Sequence, residues 1–310
     1  MKSCKPDKDI QVRKIKIDTG NRKIPALILT SKLQSPPKQQ EGQSLERRSG
    51  QQSESDTKLE AKQNSKQNSK PRTCVLWLHG GGYIAGMKEM VYMSRAVDLV
   101  KKFGVMVIAP GYRLALQAPY PAAIEDCYET LLYIKRNAKQ LGIRENQIMV
   151  GGESAGGGLC AAVCMMARDK GEVKIAYQMP LYPMMDNFDT ESSRNNHGRV
   201  WNTWKNHFGW QIYLRKNAKK EVSPYAAAAR QTNYEGLPPA YTFVGTGEPF
   251  YCETLQYIEN LRKCGIEAEV TVYESDMHAF DMMEPESDLA KQAAGQFIER
   301  FAYALKHYFA

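Results

Sequence analysis

Short runs of consecutive apolar residues, separated by longer amphipathic stretches, constrain the fold of this chain more than any other feature. The runs lie at residues 74–78, 105–109, 148–150, 175–181, 241–244 and 268–273. Strands that are apolar on both faces are typical of a parallel sheet covered by helices on both sides. The stretches between them have helical length and periodicity, at about 89–103, 121–141, 156–169, 251–264 and 287–308. The sequence therefore predicts an α/β fold with a mostly parallel central sheet.

The N-terminal quarter of the chain has a different pattern. Residues 10–17 partly alternate between apolar and polar, turn residues follow at 18–21, and 24–29 read as a second strand, so residues 1–33 predict a β-hairpin. Between residues 34 and 72 the only aliphatic side chains are Leu45, Leu59 and Ala61. Such a segment buries too little apolar area to offset its ordering entropy, and we expect a disordered basic loop insert there. Residues 73–310 then form the main domain.

The positive charge of the chain belongs to this N-terminal quarter. Residues 1–72 hold 17 Lys and Arg against 8 Asp and Glu, a balance of +9, whereas the other 238 residues hold 25 against 26, a balance of −1. No aromatic residue lies among the N-terminal charges to stack on bases. We therefore expect a solvated basic segment and no nucleic-acid partner, with a polyanion-binding protein acting through residues 1–72 as the alternative.

The composition also indicates the cellular compartment of the protein and whether it has a metal site. No apolar run reaches the roughly 18 residues of a membrane span, and the charged N-terminus lacks the apolar core of a secretory signal. The seven cysteines are odd in number and include no C-x-x-C pair. These features predict a cytoplasmic protein with reduced thiols, no membrane partner and no metal site.

Residues 152–156 (Gly-Glu-Ser-Ala-Gly) are the strongest chemical signal. They follow one of the apolar runs and open the predicted helix at about 156–169. A G-x-S-x-G between strand and helix is typical of a sharp turn that exposes a nucleophilic serine at a helix N-terminus. The helix dipole favours negative charge that develops there. The context predicts Ser154 as a nucleophile.

Residues 79–83 (His-Gly-Gly-Gly-Tyr) directly follow the run at 74–78. Consecutive glycines allow several backbone N–H groups to point into one small volume, as an oxyanion hole requires. Residues 80–85 also fit the dinucleotide pattern G-x-G-x-x-A. That alternative requires an acidic residue about 20 positions on, and the next strand ends without one.

A base and an acid are predicted from their places after late strands. Of the five histidines, only His278 lies just past such a strand, the run at 268–273. In enzymes whose nucleophilic serine lies on such a strand-to-helix turn, the residues follow one another along the chain in the order Ser, acid, His. No aspartate occurs between residues 239 and 275, so the candidates for the acid are Glu248, directly after the run at 241–244, and Glu253 on the following helix.

With these motifs in order, residues 74–308 resemble the hormone-sensitive-lipase-like serine esterases, also called bacterial family IV or the α/β hydrolase fold-3 group. The resemblance rests on residues 79–83, 112–115, 119–123, 152–157, 236–240, 245–249 and 277–280. It implies an α/β-hydrolase fold in which Ser154 is the nucleophile, His278 the base and Glu248 the acid. It also implies an oxyanion hole from the backbone N–H groups of Gly81, Gly82 and Ala155.

The function implied by the resemblance is that of a serine carboxylesterase that needs no cofactor and acts on small, short-acyl esters through an acyl-enzyme. The alternative is a non-catalytic small-ligand receptor on the same fold. A homodimer is possible. Residues 184–222 are expected to form a small cap insert, and the substrate pocket is expected to include Tyr83, Trp201, Trp204 and Phe208. We expect Trp201, Trp204 and Phe208 to share one face of a cap helix.

The chain departs from the family pattern in three places. Glu248 stands where the family usually has aspartate, and residues 116–117 (Leu-Gln) stand where Pro-Glu is usual. Most members carry a helical segment before the first strand, whereas about nine residues precede it here. We therefore expect a thin cap built mainly from residues 184–222.

Overall fold

Eight strands form one sheet in the computed structural model, which describes residues 5–32, 71–215 and 221–310. In chain order the strands are β1 (Ile10–Asp18), β2 (Lys23–Ser31), β3 (Arg72–Leu78), β4 (Met106–Pro110), β5 (Ile143–Glu153), β6 (Tyr177–Leu181), β7 (Ala240–Gly245) and β8 (Ala268–Tyr273). Their spatial order is β1-β2-β4-β3-β5-β6-β7-β8. β1 pairs antiparallel with β2, and β2 pairs antiparallel with β4. All pairings from β4 to β8 are parallel, which confirms the predicted mostly parallel sheet.

Helices cover both faces of this sheet. They are α1 (Arg95–Phe103), α2 (Ala122–Arg136), α3 (Ala138–Leu141), α4 (Ala155–Lys170), α5 (Thr203–Leu214), α6 (Tyr251–Lys263), α7 (Phe280–Met283) and α8 (Asp288–His307). Alternate residues of β3 feed two separate cores, because side chains alternate across a strand. Leu76 packs in the core that contains α2, α4 and α6, while Trp77 packs in the core that contains α1 and α8.

The structure refines several predicted boundaries. The helix expected at about 89–103 is a 3-10 turn, Lys88–Met93, followed by α1, whose N-terminus is capped where Ala96 N donates to Ser94 Oγ at 3.1 Å. The helix expected at about 121–141 is interrupted at Asn137, which separates α2 from α3. β5 begins at Ile143, well before the apolar run at 148–150, because Ile143 pairs with Arg72 at the start of β3.

The predicted N-terminal hairpin is present as β1 and β2, in register from Ile10 against Ser31 to Asp18 against Lys23. The insert predicted at 34–72 falls almost wholly outside the described residues. Its last position was assigned wrongly, because Arg72 already begins β3.

Within the described ranges, no helix has both the length and the apolar character needed to cross a bilayer. The cysteines that the structure describes are all free thiols, and four of them, Cys74, Cys127, Cys160 and Cys164, are buried.

Candidate active site

Strand β5 runs into helix α4 through a strained turn centred on Ser154. Ser154 has φ 58° and ψ −121°, a backbone conformation that a residue with a side chain rarely adopts. The turn is held because Ser154 N donates to Leu181 O at 3.0 Å and Met184 N donates to Ser154 O at 3.0 Å. Gly156 lets α4 approach β3 closely, since a Cβ at this position would lie 2.1 Å from Leu78 O. The turn therefore presents the Ser154 side chain at the end of the sheet.

Ser154, His278 and Glu248 form a continuous hydrogen-bonded chain. His278 Nε2 lies 2.9 Å from Ser154 Oγ, and His278 Nδ1 lies 2.5 Å from Glu248 Oε2. The second carboxylate oxygen of Glu248 accepts a hydrogen bond from Gly245 N at 2.8 Å. All three side chains are buried, and Glu248 is entirely inaccessible. The structure thus brings together the three residues that the sequence singled out.

Aromatic rings fix the plane of the His278 imidazole. Tyr182 and Phe250 both pack edge-on against it, with ring centroids 5.3 and 5.0 Å away. The following residue, Ala279, has φ 57°, which turns the chain sharply into α7. The imidazole is therefore held between two loops, with its nitrogens directed at Ser154 and Glu248.

Glu253, the other candidate for the acid, lies elsewhere. Its Oε1 accepts hydrogen bonds from Met185 N at 2.5 Å and Asp186 N at 3.2 Å. Burial raises the pKa of Glu253 well above its ordinary value, despite these two amides. Glu253 thus ties the segment after β6 to helix α6 rather than contacting His278.

The glycine loop after β3 lies directly beside the serine. A Cβ on Gly80 would come within 3.3 Å of Ser154 Cβ. Gly81 and Gly82 have φ of 120° and 60°, and Ile84 N and Ala85 N both donate to Gly81 O. No α-helix opens directly after this loop, since the 3-10 turn Lys88–Met93 comes first and α1 begins only at Arg95. A helix N-terminus is what a dinucleotide fingerprint needs for the pyrophosphate, so this geometry argues against that alternative.

Trp201 covers the glycine loop. Its indole ring packs against Gly82 so closely that a Cβ there would lie 2.1 Å from the ring. Gly209 of α5 lies beside the same contact, since a Cβ there would be 3.1 Å from Gly82 O and 3.5 Å from Trp201 Cζ2. Trp201 Nε1 also donates to Asn206 Oδ1 at 3.4 Å. Of the four expected pocket residues, Trp201 is the one that contacts the glycine loop from outside that loop.

The other expected pocket residues lie differently from the prediction. Trp201 precedes α5, which begins at Thr203, so it does not share a helical face with Trp204 and Phe208. Those two stack on each other with centroids 5.6 Å apart, and Trp204 is 71% exposed. Tyr83 is buried, stacks on Tyr213 and donates its hydroxyl to Met184 O, so it belongs to the core.

A buried polar cluster lies behind the hydrogen-bonded chain of Ser154, His278 and Glu248, and no sequence motif predicts it. Glu153, the neighbour of the serine, accepts a hydrogen bond from Trp77 Nε1 at 2.9 Å. Asp281, three residues after His278, lies 3.1 Å from Arg95 Nε. Burial, reinforced by the charge of Asp281, raises the pKa of Glu153 to about 8. Glu153 occupies a variable position of the G-x-S-x-G pattern, and Asp281 and Arg95 belong to no motif, so only the three-dimensional contacts reveal the cluster.

The described residues offer no cluster of three or more His, Cys, Asp or Glu side chains that could hold a metal ion. Around Ser154 the structure brings together a hydroxyl, an imidazole, a carboxylate and the glycine loop.

Comparison with known proteins is consistent with this geometry. Residues 75–282 match a family model described as the alpha/beta hydrolase fold. The AB hydrolase superfamily protein C1039.03 of Schizosaccharomyces pombe is 29% identical over 74% of this chain and 70% of its own length. Esterase LipI of Mycobacterium tuberculosis is 29% identical over 66% of this chain and 65% of its own length. The chain thus spans about two thirds of the length of these relatives.

Among solved structures, the one titled Bacterial Heroin Esterase superimposes with a TM-score of 0.78. It is 26% identical in sequence, and the match covers 96% of this chain and 83% of the other.

The raised pKa of Glu153 predicts a pH-dependent stability. Between the ordinary pKa of 4.5 and about 8, the native state keeps a proton on Glu153 that the unfolded chain releases, so the free energy of unfolding should fall as pH rises across this window. The Glu153→Gln variant has no ionisable group at this position, so its free energy of unfolding should lack this fall with rising pH. Urea midpoints of both proteins at pH about 5, 6.5 and 8 test this, because slopes from other groups cancel in the comparison. A difference between the two proteins that is the same at every pH would contradict the prediction.

Proposed function

This chain belongs to the α/β-hydrolase-fold family, and on that premise we propose that it is a serine carboxylesterase acting on small, short-acyl esters. The observation that carries the proposal is the unbroken contact from Ser154 Oγ through His278 to Glu248, next to the glycine loop. Esterase LipI and the structure titled Bacterial Heroin Esterase support the same class of reaction by their names.

In the proposed mechanism Ser154 Oγ attacks the ester carbonyl while His278 Nε2 takes its proton. Glu248 orients the ring through Nδ1 and stabilises the imidazolium that forms. His278 then returns the proton to the departing alcohol, which leaves an acyl group on Ser154. Water activated by His278 hydrolyses this acyl-enzyme and restores the serine.

The negative charge on the substrate oxygen needs hydrogen-bond donors that are already in place. We assign this role to the backbone N–H groups of Gly81, Gly82 and Ala155. The glycine loop abuts Ser154, and Ala155 is the first residue of α4, where the helix dipole adds to the attraction.

Trp201 supports the proposed preference for short acyl groups. Its indole fills the space directly over Gly82, beside one of the amides assigned to the oxyanion hole. A long chain directed past this loop would have to displace the ring, and each buried CH₂ contributes only about 0.8 kcal/mol in return. Trp201 belongs to the segment, about residues 184–222, that we propose as the cap.

Hydrolysis of a short chromogenic ester tests the reaction class. Ser154→Ala should keep the fold and lower kcat by at least about 10³-fold, because only the oxyanion hole and substrate binding remain. An alkyl fluorophosphonate should label the parent protein at Ser154 and leave the variant unlabelled. A folded parent protein with neither hydrolysis nor labelling would favour the non-catalytic receptor instead.

Two matched variants test which glutamate is the acid that holds His278. One is on the loop after β7 and the other on α6. Glu248→Gln should lower kcat by up to about 10⁴-fold, because the imidazole loses its anionic partner. Glu253→Gln should retain most of the kcat, because the described hydrogen bonds of Glu253 reach Met185 N and Asp186 N rather than His278. If Glu253→Gln is the variant with crippled kcat, the assignment of the acid is wrong.

A series of p-nitrophenyl esters tests the acyl preference. The value of kcat/KM should be highest between acetyl and hexanoyl and should fall for longer chains. Trp201→Ala should shift the optimum to longer chains by removing the ring over Gly82. Trp204→Ala serves as the control, since that ring is exposed, and it should leave the optimum unchanged. Equal profiles for all three proteins would mean that Trp201 does not limit the acyl group.

A further inference from the structure

The loop that carries Glu248 joins β7 to α6. On one side it is hydrogen-bonded to the loop that follows β8 and carries His278. Gly247 N donates to Ser275 O at 2.9 Å, and Thr246 N donates to Tyr273 O at 2.9 Å. Gly247 packs so closely on this loop that a Cβ would lie 2.8 Å from Asp276 Cα. These contacts hold the backbone before Glu248. The backbone after Glu248 is held by contacts with other neighbouring residues.

Those neighbours come from the cap. Ser192 Oγ donates to Pro249 O at 2.9 Å and accepts a hydrogen bond from Cys252 N at 3.0 Å. Asn196 Nδ2 donates to Gly247 O at 3.1 Å. The two side chains therefore hold the backbone carbonyls immediately before and immediately after Glu248. We call these three hydrogen bonds the acid-loop clamp.

We propose that Ser192 and Asn196 are positioning residues that keep the Glu248 carboxylate within hydrogen-bond reach of His278. The inference rests on the proposed function, since it assigns the clamp a role in that reaction. Neither residue contacts the serine or the histidine in any described hydrogen bond, so each acts through the backbone around Glu248.

The chemistry of the acid explains why such a clamp is needed. A glutamate has one more rotatable bond between backbone and carboxylate than the aspartate usual in similar enzymes. A shift of its backbone therefore misplaces the carboxylate unless the loop is held from both sides. In a hydrogen-bonded catalytic array, a displacement of about 1 Å can cost about 10²-fold in rate.

The clamp also links the acid to the other end of the site. Thr203 Oγ1 donates to Ser193 O at 2.6 Å, and Asn196 N donates to Thr203 Oγ1 at 2.7 Å, so the clamp segment is fastened to the start of α5. Trp201, which lies on Gly82, is part of the same segment. One stretch of the cap, residues 192–203, thus contacts both the glycine loop and the loop of the acid.

Variants of the clamp test the proposal on the full chain. Ser192→Ala should lower kcat for a short ester by about 10-fold, and Ser192→Ala with Asn196→Ala by about 10²-fold, with KM changed less than threefold. The acidic limb of the kcat/KM profile should move to lower pH, because a poorly held carboxylate stabilises the imidazolium less. The downfield proton resonance of the His278–Glu248 hydrogen bond should broaden or shift upfield. Ser192→Thr keeps the hydroxyl and should restore the parent values.

Asn202→Ala is the matched control for a merely loosened cap. Asn202 caps α5 by accepting a hydrogen bond from Lys205 N, and its described hydrogen bonds stay within the cap. This variant should lower the thermal midpoint without moving the pH profile or the proton resonance. If Asn202→Ala reproduces the effects of Ser192→Ala, the clamp has no specific role.

A double-mutant cycle separates this proposal from the proposed function. In a Glu248→Gln background, Ser192→Ala should have less than a twofold effect on kcat, because the carboxylate it positions is gone. An undiminished effect in that background would overturn the clamp while leaving the esterase assignment intact. A parent protein without esterase activity would instead overturn the proposed function, and a Glu248→Gln variant with full kcat would overturn the assignment of the acid. The proton resonance reports on the clamp in the free protein in either case.

Discussion

The close approach of helix α4 to strand β3 is the constraint on which the rest of the site depends. Gly156 lies against Leu78 O, and Gly152, two residues before the serine, would place a Cβ 2.6 Å from the same carbonyl. Only residues without side chains permit this contact. It brings the end of β5 and the start of β3's glycine loop together and fixes the strained conformation of Ser154 between them. The strain, of order 1–3 kcal/mol, is sustained because the surrounding core is well packed.

The parallel pairing of the strands then determines where the other residues of the site lie. The glycine loop, Ser154, Tyr182, Glu248 and His278 follow β3, β5, β6, β7 and β8, which are consecutive in the sheet. The carboxyl ends of parallel strands meet at one edge, so residues more than a hundred positions apart become neighbours there. This topology explains how a serine and a histidine separated by 124 positions come to share a hydrogen bond of 2.9 Å.

This topology also decides which parts of the molecule could be predicted from the sequence. Apolar runs and turn residues are local signals, and strands that end in Gly-rich or acidic loops identify the functional edge before any contact is known. The positions of Ser154, His278 and Glu248 follow from this. The arrangement of Trp201, Trp204 and Phe208 could not be predicted in the same way, because their spacing fits a helix although Trp201 precedes it. Which aromatic ring faces the glycine loop depends on the tight contact with Gly82, a tertiary feature that periodicity does not encode.

The buried charges next to Ser154 and His278 show a further limit of sequence patterns and a cost of this architecture. Glu153 and Asp281 are buried, and burial raises the pKa of each carboxyl group, with Arg95 the cation beside Asp281. Moving carboxylates out of water is costly unless they are paired, so a proton on Glu153 reduces the repulsion that Asp281 would otherwise meet. Asp281 is also close enough to Glu248 for their charges to interact. Because the charge of Asp281 acts on Glu153 and that of Glu248 acts on Asp281, a proton on Glu153 removes one negative charge from this buried set.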